Sequence, residues 1–404
     1  MQYRTDPKSG NRVSALGLGC MRFPGYELGR PSARAAEEII ASALDHGVNY
    51  LDTAYLYPGN EVCVGGALER LGARDRVLLA TKLPHGSCKR AADFDRFFDE
   101  QLRRLRTDRV DYYLMHNVTS PAQWERLRAL GIEDWVARQK AAGRIGEIGF
   151  SFHGSAGDFP VLLDAFDWDF CQIQYNYANE RYQAGTAGLM EAARRKMAVF
   201  VMEPLLGGRL AGKLPDAAKR VFAGAAAGER KVGGSDVTLD APADWALAWV
   251  WNHPQVTMLL SGMGSPAEVE ANARLADAAL PGALSATQLG VIGRVVELFE
   301  RANRVPCTGC NYCMPCPHGI NIPGCFSAYN ASYAHSWFTG MQQYFTASAI
   351  RSGRPRLASN CVKCGKCMRH CPQHIDIPAR MDDVRHRLQP GPVDWLLRGM
   401  ARKG

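Results

Sequence analysis

Between residues 13 and about 276 the chain alternates short apolar runs with longer segments whose apolar residues recur at helical spacing. The first kind reads as strands buried on both faces, the second as helices that cover them. Eight apolar runs qualify, at 13–18, 50–54, 77–83, 110–116, 145–152, 170–177, 198–204 and 257–263. Eight helical segments separate them, at 33–46, 60–71, 92–106, 121–142, 157–166, 185–196, 241–252 and 266–277. Strand followed by helix, eight times over, predicts parallel strands with helical crossovers and closure into a (β/α)8 barrel rather than an open sheet.

Two segments stand outside the repeat. Residues 205–240 form the longest connection, rich in glycine, and come after the seventh strand on the carboxyl face; they read either as a flap over a ligand or as a tolerated insertion. Residues 285–303 (SATQLGVIGRVVELFERAN) read as a helix with a serine cap that links the barrel to a cysteine-rich C-terminal region. The expected domains are therefore 1–303 and 304–404, an α/β barrel followed by a small, mostly helical unit.

That second unit carries most of the cysteine. Cys307, Cys310, Cys313 and Cys316 precede Pro317, and Cys361, Cys364, Cys367 and Cys371 precede Pro372. Thiolates so spaced can turn toward one small volume, as an iron–sulfur cube requires, and the second run is the bacterial ferredoxin pattern C-x2-C-x2-C-x3-C-P. The first run is one residue shorter before its last cysteine. Two [4Fe–4S] clusters are expected, with structural zinc as the alternative. In two-cluster ferredoxins the cysteine before proline serves the other cluster. By that rule Cys307, Cys310, Cys313 and Cys371 form one set, and Cys316, Cys361, Cys364 and Cys367 the other. The 44 residues between the runs are aromatic-rich and read as mostly helical, with Trp337, Phe338 and Tyr344 in the core. Cys20, Cys63, Cys88 and Cys171 read as small buried hydrophobes, and Cys325, close to the first run, as a packing residue with a spare ligand as the alternative.

Charge sharpens the division. The formal net charge is +8, yet residues 301–404 hold 14 Lys and Arg against 4 Asp, while residues 1–300 hold 34 basic against 36 acidic residues. Cations beside an anionic cluster offset its charge; they would also steer an acidic redox protein partner. No basic helix or stacking motif speaks for nucleic acid, and no run of eighteen apolar residues speaks for a membrane. Thiol usage and a polar opening, MQYRTDPKSGNR, point to a reducing cytoplasm.

Barrel chemistry gathers at the carboxyl ends of strands. There the chain places Asp52 and Tyr57 (LDTAYLY), Lys82 (LATKL) and His116 (LMH). A phenol with an ordinary pKa near 10 donates a proton poorly unless a cation stabilises its anion. Lys82 would do this, Asp52 would hold Lys82 charged, and His116 would polarise a carbonyl oxygen. His153 is a candidate substrate contact, and His85 reads as an ordinary loop residue.

The stretches DTAYLYPGNE, LATKL, LMHN, GFSFHG, IQYN and MEPLLGG resemble the aldo/keto reductases over roughly residues 10–300. The resemblance implies that the family's tetrad falls on Asp52, Tyr57, Lys82 and His116. It implies nicotinamide contacts at Ser151 and Gln174, with Met202 where the family often stacks a tyrosine. At the adenosine end it implies contacts from Ser261, Gly262, Gly264, Glu268 and Asn272. Glu268 stands where a phosphate-binding arginine is usual, which favours NADH over NADPH. The whole chain resembles members of that family that carry a C-terminal ferredoxin-like domain.

A nicotinamide gives up two electrons as hydride, whereas a cubane passes one at a time. Three functions are open: carbonyl reduction in the barrel, a ferredoxin-linked one-electron reductase with a flavin as splitter, or a nucleotide-binding electron-transfer or regulatory subunit without turnover.

Overall fold

The structure is a computed structural model describing residues 1–26, 29–348, 356–391 and 393–394. Its chain forms two compact units. One comprises Met1–Pro204, Arg230–Leu239 and Asp244–Ser285; the other comprises Leu205–Glu229, Asp240–Ala243 and the chain from Ala286 on.

The first unit opens with an antiparallel pair, β1 (Tyr3–Thr5) and β2 (Arg12–Ser14). Eight parallel strands then close into a barrel: β3 (Leu16–Gly19), β4 (Tyr50–Asp52), β5 (Leu78–Leu83), β6 (Val110–Val118), β7 (Ile145–Phe152), β8 (Phe170–Gln174), β9 (Ala198–Met202) and β10 (Met258–Ser261). β10 pairs with β3 to complete the ring. The expected strand at 13–18 is thus two strands. The Ser14 hydroxyl donates to the Leu16 carbonyl at 2.7 Å, a local bond that competes with a continuous ladder.

Helices α1 (Ala33–Asp45), α2 (Asn60–Arg70) and α3 (Ala92–Leu105) connect the early strands. Where one helix was expected at 121–142 there are two, α4 (Pro121–Ala129) and α5 (Ile132–Ala141). Gly131 divides them at φ +83°, a left-handed conformation that glycine adopts without a Cβ penalty. Next come α6 (Asp158–Asp164) and α7 (Gly185–Arg194), with α8 (Asp216–Ala223) in the other unit, and α9 (Pro242–Trp251) and α10 (Pro266–Ala278).

Strand parity positions the chemistry. Tyr50, Tyr112, Phe170, Phe200, Met258 and Leu260 belong to one buried cluster at the barrel centre, with neighbouring ring centroids about 5 Å apart. Side chains alternate along a strand, so the residue two positions further on faces the same interior one layer up. That layer is Asp52 above Tyr50, Lys82 above Ala80 and His116 above Leu114. The apolar layer closes the barrel beneath the polar one.

The second unit contains α8, α11 (Ala286–Ala302), α12 (Ile322–Ala334), α13 (Trp337–Ala347) and α14 (Ile377–Leu388). Its compact grouping does not begin at residue 303. The helix expected to link the domains, α11, packs against α8 and α12 within this unit. Much of the glycine-rich 205–240 segment joins it as well. Gly207 has φ +65°, and a Cβ there would sit 2.2 Å from the Thr308 carbonyl oxygen, so backbone lies on backbone at that point. Val305, Cys325, Phe326, Tyr344, Met381 and Val384 belong to the core. Tyr344 is fully buried as expected and Trp337 packs at the core's edge, but Phe338 is 79 % exposed, which corrects its core assignment. Trp337, Tyr344 and Met341 lie on one stripe of α13, and Phe338 falls off it. The last two residues of the expected helical insert, 349–350, lie outside the described residues.

Candidate functional site

The four strand-end residues converge. Lys82 is 1 % exposed, and its Nζ donates to Asp52 Oδ1 at 2.5 Å and to the Thr53 carbonyl at 2.8 Å. The same Nζ lies 5.1 Å from the centroid of the Tyr57 ring. The Tyr57 and His116 rings meet edge to face with centroids 5.6 Å apart. Burial pushes the Asp52 carboxyl up while the Lys82 ammonium opposes it. Burial drives His116 well below its ordinary value, assisted by Lys82, His85 and His153. The imidazole is therefore neutral near pH 7, suited to hydrogen bonding rather than to supplying a proton.

A buried polar network lies behind this group, which sequence reading missed. Gln101 Nε2 donates to the Lys82 carbonyl at 3.0 Å and to Glu61 Oε1 at 2.9 Å. The Tyr113 hydroxyl donates to Gln101 Oε1 at 2.7 Å, and Thr81 Oγ1 to Glu61 Oε1 at 2.7 Å. Such a linked set holds β5, and with it the backbone that carries Lys82. Glu61 belongs to the PGNE stretch just after Tyr57, but its partner at position 101 was not readable from one sequence. His85 is also more embedded than an ordinary loop residue. It is 5 % exposed, receives Arg126 at its carbonyl at 2.7 Å, and is lowered to about 4 by burial and Arg126. His153 is buried too.

The residues expected at a nucleotide divide into two groups. Ser151 Oγ accepts from the Asn117 amide at 2.7 Å, and Gln174, 1 % exposed, pairs in register with Met202. On the other side Asn272 Nδ2 donates to Ser261 Oγ at 3.1 Å, tying α10 to the end of β10. Gly262 leaves room beside Arg22, whose side chain would lie 3.7 Å from a Cβ there. Ser265 caps α10 by accepting from the Glu268 amide at 3.3 Å, while Glu268 Oε2 accepts from the Gly264 amide at 2.7 Å. Glu268 is thus engaged in a reciprocal cap at the helix start.

Glu203, immediately after β9, has φ +54°, and Asn176 Nδ2 donates to its carbonyl at 3.1 Å. Burial raises its carboxyl to about 7 from an ordinary 4.5, with Arg22 opposing. The folded chain therefore keeps a proton that the unfolded chain releases as pH rises through this window, and stability falls over the same range. Glu203→Gln removes the group. Relative to the unaltered protein, it is expected to gain on the order of 2 kcal/mol as pH rises from 5 to 8. Urea unfolding at both pH values measures it; an unchanged difference would assign the slope to other groups.

In the second unit the two cysteine runs interleave. One concavity is lined by Cys307, Cys310, Cys313 and Cys371, with Ile322 and Phe326. The other is lined by Cys316, Cys361, Cys364 and Cys367, with Ile377 and Met381. Each set offers four sulfurs in an apolar setting, the donor chemistry of a cubane. Among the described residues no three His, Cys, Asp or Glu stand close enough to hold a single metal ion. Arg209, from the segment after β9, donates to the carbonyls of Val305 and Cys307 at 3.2 and 3.3 Å, and burial lowers it to about 10. The remaining cysteines, Cys20, Cys63, Cys88, Cys171 and Cys325, are buried.

A parallel barrel whose inner rim gathers a phenol, an ammonium, a carboxylate and an imidazole, in a chain that also carries paired cysteine sets, is an oxidoreductase. The chain belongs to the aldo/keto reductase family, whose model matches residues 15–283, and a 4Fe-4S dicluster domain matches residues 306–375. It is 34% identical over 125 residues to the aldo-keto reductase YhdN of Bacillus subtilis, covering 29% of this chain and 38% of that protein. It is 28% identical over 257 residues to the protein tas of Escherichia coli, covering 54% of this chain and 72% of that one. Among solved structures, aldo-keto reductase AKR11C1 from Bacillus halodurans, in its holo form, superposes with a TM-score of 0.58 at 25% identity, over 73% of this chain and 96% of that one. An aldo-keto reductase from Klebsiella pneumoniae in complex with NADPH superposes with a TM-score of 0.56 at 26% identity, over 73% and 95%. No helix among the described residues is long and apolar enough to cross a membrane.

Proposed function

We propose that the barrel reduces a small aldehyde or ketone with a bound nicotinamide, and that the cysteine sets hold two [4Fe–4S] clusters that exchange electrons with a partner. The observation that carries the first part is the Lys82 ammonium lodged between Asp52 and the Tyr57 ring. A bound nicotinamide would supply hydride to the carbonyl carbon. Tyr57 gives its proton to the carbonyl oxygen, Lys82 stabilises the phenolate left behind, and Asp52 holds Lys82 in place. Neutral His116 donates a hydrogen bond to the same oxygen and orients it. Ser151, Gln174 and Met202 would hold the nicotinamide end; Ser261, Gly262, Gly264 and Asn272 would hold the other. Cys307, Cys310, Cys313 and Cys371 would ligate one cluster, and Cys316, Cys361, Cys364 and Cys367 the second.

We take NADH as the preferred donor, because a carboxylate at Glu268 disfavours a 2′-phosphate. Glu268→Arg is expected to raise the NADPH-to-NADH ratio of kcat/KM at least about tenfold. An unchanged ratio would place the phosphate away from α10.

The dicluster domain itself favours a second reading, a ferredoxin-linked reductase. An anaerobic preparation separates the two. Iron, sulfide and NADH-dependent aldehyde turnover without flavin support carbonyl reduction; flavin released on denaturation, with no such turnover, supports the second reading.

A further inference from the structure

The two cysteine sets differ in how charge surrounds them. The loop 307–316 (CTGCNYCMPC) has no lysine or arginine, and the cation against its backbone, Arg209, is partly buried. The loop 361–371 (CVKCGKCMRHC) carries Lys363, Lys366 and Arg369, all exposed. Cys364 is the exposed member of the eight, the other seven being partly buried. Val362 and Met368, 60 % and 42 % exposed, stand beside it in the same loop.

Lys363 pairs with Asp382 at 2.7 Å, and Arg385 of α14 is close enough to act on both. Lys366 and Arg369 have no ion-pair partner among the described residues. Free cations on a solvated loop do little for the fold. They share one exposed loop with a surface thiol and two exposed apolar side chains, the composition of a small polar-edged contact.

We propose that this loop, which exposes Cys364, Val362, Met368, Lys363, Lys366 and Arg369, docks a small acidic one-electron carrier protein. The inference rests on the ligand sets proposed above. One electron passes from the reduced carrier to the cluster of Cys316, Cys361, Cys364 and Cys367; the carrier is oxidised by one electron and no proton moves. Opposite charge steers the encounter, and the exposed apolar side chains bring the carrier's redox centre close.

The test uses the anaerobic full-length protein loaded with iron and sulfide, and an acidic flavodoxin as probe. Binding is measured by calorimetry at about 0.02 M and about 0.3 M salt, across which screening of exposed charge rises strongly. Affinity is expected to fall at least about tenfold at the higher salt, and by a similar factor in the double variant Lys366→Glu, Arg369→Glu at the lower. Lys213→Glu, a single charge reversal elsewhere, is expected to change it less than about twofold. Iron content and midpoint potentials are recorded for each variant. Full iron with binding indifferent to salt and to the double reversal overturns the proposal. So does a shifted potential with unchanged binding, which would make the cations a charge offset only. A protein that takes up no iron fails the ligand assignment instead.

Discussion

Replacing Tyr57 with phenylalanine will lower kcat/KM for a small aldehyde by at least about a hundredfold, with iron content and dinucleotide affinity unchanged. The expectation rests on the protonation of its neighbours. His116 is held neutral by burial and by the Lys82 ammonium, so it has no proton to give near pH 7. Lys82 donates to Asp52 and to the Thr53 carbonyl, and giving up its proton would leave a buried carboxylate unpaired. Tyr57 is the remaining donor, with a cation 5.1 Å from its ring centre. Turnover within about threefold of the parent would remove Tyr57 from the acid role. Lys82→Met would be uninformative alone, because it also strands Asp52.

Pairs of cysteine substitutions will reveal which thiols share a cluster. Each of Cys310→Ala, Cys316→Ala and Cys364→Ala is expected to lower iron from about eight to about four per chain. If the sets interleave, Cys316→Ala with Cys364→Ala still leaves about four, since both serve one cluster. Cys316→Ala with Cys310→Ala leaves about none, although both lie in the first run. About four irons remaining in that second pair would mean that each run ligates its own cube. Iron and sulfide analysis, with the visible spectrum, decides it.

The rule that a cysteine before proline crosses to the other set, applied to sequence alone, gives the same partition that lines the two concavities. Spacing within a run is local, and loop geometry limits which sulfurs of that run can face one volume; the fold decides which sulfur of the other run lies beside them. The barrel was legible for a similar reason. Tyr50–Asp52, Ala80–Lys82 and Leu114–His116 each combine an interior residue with a reactive one two positions on, and period two is a property of the strand itself. Breaks inside elements were harder. Gly131 splits a helix that periodicity alone carried through to residue 142, and Ser14 divides the first strand by a bond to its own backbone.

The segment after β9 shows where local reading stops. Its glycines pointed to a flap or a surface insertion, yet Leu205–Glu229 groups with the cysteine unit, and Arg209 bonds to the backbone at Cys307. Glu203 is a second case. In sequence it was one letter of a motif; in the fold, burial brings its proton into the neutral range. Glu268 is a third, since its carboxylate turns back onto the Gly264 amide.

The order of residues was enough to set the alternation of strands and helices, the strand-end places of Asp52, Lys82 and His116, and the two thiol runs. Each of these depends on residues a few positions apart, where backbone geometry dictates direction. Folding was needed to set the protonation of His116 and Glu203, the network that seats Lys82, and the unit to which residues 205–229 belong. These depend on desolvation and on hydrogen bonds between residues far apart in the chain, and no local pattern encodes such contacts.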